Sequence, residues 1–93
     1  DNVFVNFETP QVHPLDMSPA GVTLAVCNTA NGTADIFSLA GGLPEFMFQV
    51  PVGLDPVTAR FRSEAELWVV NHLSDSVSVV DLLAQSVVRT LQT

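Results

Sequence analysis

The sequence has no lysine, and its three arginines face ten carboxylates. The formal net charge is -7 at pH 7 with both histidines neutral. Nucleic-acid binding and adsorption to anionic membranes draw much of their affinity from a basic surface. The charge balance therefore argues against both kinds of partner and indicates a soluble, acidic surface.

Cysteine and long apolar runs are scarce as well. Cys27 is the only cysteine in 93 residues, which excludes an internal disulfide and a cysteine-based zinc cluster. No apolar run reaches the roughly 18 residues of a membrane-spanning helix, so we expect no membrane insertion. Charged residues make up only 14% of the chain, which indicates that neighbouring structure covers part of its surface.

The sequence does contain two similar units about 43 residues apart. The block Leu24–Asn28 matches Leu67–Asn71, with identical residues at the first, third and fifth positions. Pro14 matches Pro56 at a spacing of 42 residues, one fewer than the spacing of the strand blocks. The segment between the proline and the strand block is therefore one residue longer in the second unit. Matches in apolar blocks and length changes in turns are typical of a duplicated structural unit.

Short apolar blocks rich in β-branched residues and bounded by turn residues indicate strands rather than helices. Only Asp81–Leu91 has the length of a helix, and its two adjacent valines favour a hairpin. Several blocks, such as Leu67–Val70, are apolar on both faces, as expected where each sheet is covered on both sides. The predicted strands are Val3–Phe7, Leu15–Ser18, Thr23–Asn28, Ala34–Leu39, Glu45–Val50, Val57–Arg62, Glu66–Asn71, Ser76–Asp81 and Val87–Leu91.

We therefore predict an all-β fold of antiparallel four-stranded β-propeller blades, comprising two repeats and an N-terminal closing strand. Residues 1–13 would form the N-terminal strand and linker, residues 14–51 blade 1, and residues 52–93 blade 2. Stacked repeats usually need three or more units for stability. We therefore expect the partners to be other blades of a parent propeller or other copies of the chain.

The second unit runs from a glycine-to-proline linker, Val52–Pro56, to the strand Trp68–Asn71, the strand Val77–Asp81 and a last strand, Val87–Leu91. In this order the segments resemble the YVTN-type β-propeller repeat. That repeat has an aromatic-valine-threonine-asparagine strand, a polar turn and a valine-serine-valine-isoleucine-aspartate strand. The first unit fits more loosely, because Ser38 stands where the repeat has its aspartate.

The resemblance implies a bacterial or archaeal propeller that is extracellular, at the cell surface or in the periplasm. Most such propellers are non-catalytic, so the implied function is protein or glycan binding, or scaffolding, rather than a complete enzyme. The alternative is a fragment of a propeller enzyme or electron-transfer protein with a metal or cofactor on the ring axis. Fold alone does not decide between the two.

Few residues point to chemistry, and we predict no catalytic residue and no cofactor. His13 and His72 are the only histidines and fall in different classes of loop, so surface positions are expected rather than a shared metal site. Trp68 is expected to pack between blades, with stacking on a ligand as the alternative. His72 is the other candidate for ligand binding.

Other positions are expected to be structural, namely Asn28, Asn71, Asp81, Trp68, Pro14 and Pro56. Asn28 and Asn71 would each hydrogen-bond the following turn, and Asp81 would accept a turn amide. Cys27 would be an inert, packed thiol. Asn31-Gly32 predicts a hairpin turn, because both residues tolerate positive φ.

Overall fold

The computed structural model describes residues 14–92, which form eight strands and no helix. The predicted strand Val3–Phe7 and the candidate ligand His13 lie outside the described residues. The first sheet contains β1 (Leu15–Met17), β2 (Thr23–Asn28), β3 (Thr33–Ser38) and β4 (Glu45–Pro51). The second contains β5 (Pro56–Phe61), β6 (Glu66–Asn71), β7 (Ser76–Asp81) and β8 (Ser86–Gln92).

Both sheets have four antiparallel strands in sequential order, β1-β2-β3-β4 and β5-β6-β7-β8. This confirms the predicted all-β fold of two propeller-like blades, and we call the two sheets blade 1 and blade 2. The two sheets do not close into a ring. Among the described residues there is also no helix that could cross a membrane.

One strand irregularity occurs at an equivalent position in both blades, and blade 2 has a further register shift between Pro56 and Thr58. A β-bulge lies between Ile36 and Phe37 in blade 1 and between Val79 and Val80 in blade 2. Bulges increase the local twist and bend the strand. Blade 2 therefore reproduces the bent edge of blade 1 and not only its strand order.

The hairpin predicted at Asn31-Gly32 is confirmed, because β2 and β3 pair in antiparallel orientation around it. The loop spans residues 29–32, and Gly32 donates its amide to the carbonyl oxygen of Asn28 at 2.9 Å. Gly32 has a φ of 68°, whereas Asn31 is not among the residues with positive φ. The loop therefore needs the left-handed conformation only at its last residue.

The hydrophobic core lies between the blades. Its buried members come in equal number from blade 1 and blade 2: Ala25, Ala34, Ile36, Val50, Ala59, Leu67, Val69 and Val80. Burial of a valine, leucine or isoleucine side chain stabilises a fold by about 1.5–3 kcal/mol. Contact between the blades is therefore a main source of stability.

Hydrogen bonds also join the two blades. The amide of Phe61 donates to Oδ2 of Asp16 at 2.8 Å, and Oγ1 of Thr29 donates to the carbonyl oxygen of Pro56 at 2.9 Å. Glu64 accepts the amide of Ala20 at the opposite end of the strands. Contacts at both ends of the strands fix the orientation of one blade against the other.

Each blade has one face that the other does not cover. Cross-strand partners share a face of a sheet. The front face of blade 1 consists of Leu15, Met17, Leu24, Val26, Asp35, Phe37, Phe46 and Gln49. The outer face of blade 2 consists of Thr58, Arg60, Glu66, Trp68, Val70, Val77, Val79, Asp81, Arg89 and Leu91. Within the described residues, one face of each blade is covered by the other blade and the second face is open. The expectation that both faces are covered is therefore met for one face of each blade.

Candidate functional site

Three loops gather at one end of the blades: residues 29–32, 52–55 and 72–75. We call this the linker end, because residues 52–55 join the two blades. A cleft of about 570 Å³ opens here between the blades. Its lining consists of Asn31, Gly32, Pro51, Val52, Gly53, Leu54, Ser74, Ser76, Ser78, Val87 and Thr90. Hydroxyl groups and apolar side chains thus line the cleft side by side.

Asn71 fixes the wall of this cleft. Its side chain is fully buried, and its Oδ1 accepts the amide of Gly53 at 2.9 Å. Its Nδ2 donates to Oγ of Ser78 at 2.9 Å and to Oγ of Ser76 at 3.3 Å. We call the contact with Gly53 the linker bond. The expectation that Asn71 bonds the following turn is wrong, because its carboxamide joins the preceding linker to β7.

Gly53 is the residue that this packing requires. A Cβ atom at Gly53 would lie 2.6 Å from Cγ of Asn71 and 2.7 Å from Oγ of Ser74. The close approach of the linker backbone therefore depends on the missing side chain.

Asn28, at the equivalent position of blade 1, bonds differently. Its Oδ1 accepts the amide of Asn31 at 3.2 Å, which confirms the predicted contact with the following turn. Its Nδ2 donates to Oδ2 of Asp35 at 3.1 Å. Oδ1 of Asp35 also accepts Oγ1 of Thr33 at 2.8 Å and Nε2 of Gln49 at 3.0 Å. Asp35 stands where blade 2 has a serine, which adds a negative charge to this face.

His72 lies at the surface of the linker end, with 74% of its side chain exposed. Its Nδ1 is 3.3 Å from Oδ2 of Asp55, and its amide donates to the carbonyl oxygen of Asp55 at 2.9 Å. Within residues 14–92, no group of three or more His, Cys, Asp or Glu side chains is placed to hold a metal ion. The described contacts of His72 are those of a surface loop residue.

Two leucines flank this histidine. Leu54 is 64% exposed and Leu73 is 71% exposed. Exposed apolar residues on loops beside a cleft are typical of binding surfaces. Sequence reasoning missed both, because an isolated leucine in a polar loop gives no sign of whether it will be buried.

Trp68 lies on the outer face of blade 2, which blade 1 does not cover, so its packing between blades stays a prediction. Its ring is half-buried, and the guanidinium carbon of Arg62 lies 4.8 Å from the ring centroid. Its Nε1 donates to Oε2 of Glu66 at 2.5 Å. The ring is therefore held in place at the edge of an open face.

The remaining structural positions lie at strand ends. Asp81 accepts the amide of Leu83 at 2.9 Å, which confirms the predicted turn bond. Pro14 is exposed and its carbonyl oxygen accepts the amide of Cys27 at 2.7 Å, whereas Pro56 is buried. Cys27 packs against the core, and burial raises the pKa of its thiol from 9.0 to about 11, in agreement with an inert thiol.

Comparison with known proteins gives structural matches alone. No family model matches the chain, and no curated protein does. Hydrazine synthase from Kuenenia stuttgartiensis is 27% identical over 96% of this chain, with a TM-score of 0.80. Hsv2 from Kluyveromyces lactis is 11% identical over 87% of this chain, with a TM-score of 0.62, which shows likeness of fold. The chain spans 25% and 24% of those two structures, respectively.

Proposed function

We propose that this chain is a non-catalytic two-blade segment of a β-propeller, built on YVTN-type repeats, that binds a protein or glycan partner. The linker end is the proposed binding surface. The observation that carries this proposal is the pair of exposed leucines, Leu54 and Leu73, on the loops of the linker end, where a hydroxyl-lined cleft opens. The extracellular side, the cell surface or the periplasm is the proposed location.

The polar side chains beneath the cleft support binding rather than catalysis. Asn71, Ser76 and Ser78 are buried and bonded to one another, so they hold the wall in place. Ser74 bonds Ser76 at 3.0 Å and is only partly buried. A rigid wall with hydroxyls at its rim suits a ligand that offers both polar groups and an apolar face, as a sugar ring does.

The test compares two double variants for binding to a panel of soluble oligosaccharides and to surface proteins of the producing cell. Leu54→Ser with Leu73→Ser changes the linker end. Leu43→Ser with Leu83→Ser changes equally exposed leucines at the opposite end of the strands. We expect binding to fall at least tenfold in the first variant and to stay unchanged in the second. Equal binding by both double variants would contradict the proposal.

A second candidate is a structural segment of a larger enzyme. The hydrazine synthase match favours it, because that protein is an enzyme by name and the chain aligns over 96% of its own length. In this case the chain would supply blades, and the chemistry would reside elsewhere in the parent protein. Binding by the unaltered chain separates the two: a segment that only supplies blades to an enzyme should bind no member of the panel.

A further inference from the structure

The basic side chains of the sequence gather on one open surface. Arg60 and Arg89 lie at the two ends of one cross-strand row on the outer face of blade 2, with Trp68 and Val79 between them. Arg62 packs over the ring of Trp68. These three arginines are the whole lysine and arginine content of a chain with ten carboxylates. Glu66 and Asp81 lie on the same face, so it carries three positive and two negative side chains and keeps a net positive charge, which suits an acidic partner.

The front face of blade 1 has the opposite charge. Asp35 lies within it, in one cross-strand row with Leu15 and Val26. The donors on its carboxylate, from Asn28, Thr33 and Gln49, are all neutral, so these bonds leave its negative charge in place. The apolar residues Leu15 and Val26 share its row, and Phe46 on the same face is 56% exposed. The face thus offers an apolar surface with a carboxylate within it.

The contact between the two blades shows how such a face is covered. The face of blade 2 that lies against blade 1 includes Leu67, Val69 and Ser78. The residues 43 positions earlier in the chain are Leu24, Val26 and Asp35, on the front face of blade 1. The side of blade 2 that blade 1 already covers is therefore the counterpart of the open front face of blade 1. A blade of the same kind, placed in the same way, would cover that front face.

We propose that a second copy of this chain docks head to tail, with the front face of its blade 1 on the outer face of blade 2. The face that carries Asp35 in one copy then lies on the face that carries Arg60 and Arg89 in the other. The inference rests on the proposed function, in which propeller blades are stacked, and it names the partner. The contact joins two different surfaces, so repetition gives a ring if the rotation closes and a filament if it does not. Apolar side chains on both faces exclude water from the contact, which strengthens the attraction between Asp35 and the arginines.

A charge exchange tests the pairing. Asp35→Arg makes the front face basic, and Arg60→Glu with Arg89→Glu makes the outer face acidic. We expect each variant alone to associate at least tenfold more weakly than the unaltered chain in sedimentation velocity. Mixing the two variants should restore a heterodimer, because the changed faces again complement each other. Glu45→Arg is the matched control: it makes the same change in net charge at an exposed position outside this face and should associate like the unaltered chain.

Asp35→Arg also disturbs the bonds to Thr33 and Gln49, so Asp35→Asn provides a second arm. The asparagine keeps the size of the side chain and removes its charge, and it should weaken association without unfolding blade 1 in circular dichroism. Failure of the mixture to form heterodimers while the unaltered chain still associates would overturn the pairing, as would a chain that stays monomeric at every concentration. Neither result touches the leucine variants of the linker end, so the proposed binding function is tested separately.

Discussion

At the scale of single residues, Gly53 offers the sharpest prediction. In Gly53→Ala the added methyl would meet Cγ of Asn71 at 2.6 Å, inside a fully buried site. We expect the free energy of unfolding to fall by about 1–3 kcal/mol, the usual cost of an extra methyl group in a packed core. Urea denaturation followed by the fluorescence of Trp68 measures the change.

Gly41→Ala is the matched control, because a Cβ atom there has nothing within 4 Å and no positive φ is recorded. Its free energy of unfolding should change by less than about 1 kcal/mol. Equal losses in both variants would show that the linker bond does not set the stability of this region.

Cys27 gives a prediction in pH. Burial raises the pKa of its thiol from 9.0 to about 11, so the folded chain holds this proton more tightly than the unfolded chain. The unfolded chain therefore releases the proton first, and stability falls as pH rises from about 9 to about 11. We expect this part of the alkaline loss to be absent in Cys27→Ala, as measured by urea denaturation across that range.

The same shift protects the thiol from alkylation. At pH 8 iodoacetamide should react far more slowly with Cys27 in the folded chain than in urea, because the thiolate is the reactive form. A thiol that titrates near 9.0 in the folded chain would contradict both expectations.

At the scale of elements, turn geometry repeats where the residue type does not. Gly42 has a φ of 90°, and Gln85, which lies 43 residues later, has a φ of 57°. The left-handed conformation costs most residues about 1–2 kcal/mol and costs glycine far less. We expect Gln85→Gly to stabilise the chain by about 0.5–1 kcal/mol in thermal unfolding. The reciprocal change, Gly42→Gln, should destabilise it by a similar amount, and a loss of stability in both variants would contradict the explanation.

The strands of the blades could be predicted from the sequence because each apolar block ends at turn residues. Each of the eight predicted strands within residues 14–92 matches an observed strand to within one residue at each end. The contacts of Asn71 could not be predicted in this way. The register places it opposite Ser76, but its bond to Gly53 depends on where the linker folds back. Side-chain partners set by tertiary packing carry no local pattern.

The same reason applies to Trp68. Its strand was identified correctly, but its side chain belongs to the face that points away from blade 1. Alternation along a strand separates two faces, and it does not say which of them another blade covers. The linker-end site remained hidden for a related reason, since it is assembled from three loops that are distant in sequence.

At the scale of the whole molecule, the open faces predict stability that depends on concentration. Anything that binds the folded chain and not the unfolded chain raises its melting temperature by mass action. We expect the melting temperature to rise with protein concentration, because association covers Phe46 and its apolar neighbours on the front face of blade 1.

Phe46→Ser should remove this dependence, whereas Leu43→Ser, a change at a more exposed loop position, should keep it. Differential scanning calorimetry over a hundredfold range of concentration measures both variants. A melting temperature that stays constant for the unaltered chain would show that the exposed faces are stable in water without a partner.

The linker bond also has a consequence for the order of folding. Asn71 can accept the amide of Gly53 only when its carboxamide is correctly turned, and the hydroxyls of Ser76 and Ser78 on β7 set that orientation. We therefore expect the β6–β7 hairpin to form before the linker is fixed, because a local hairpin is the faster step. In pulsed hydrogen exchange, the amides of that hairpin should gain protection first and the amide of Gly53 later.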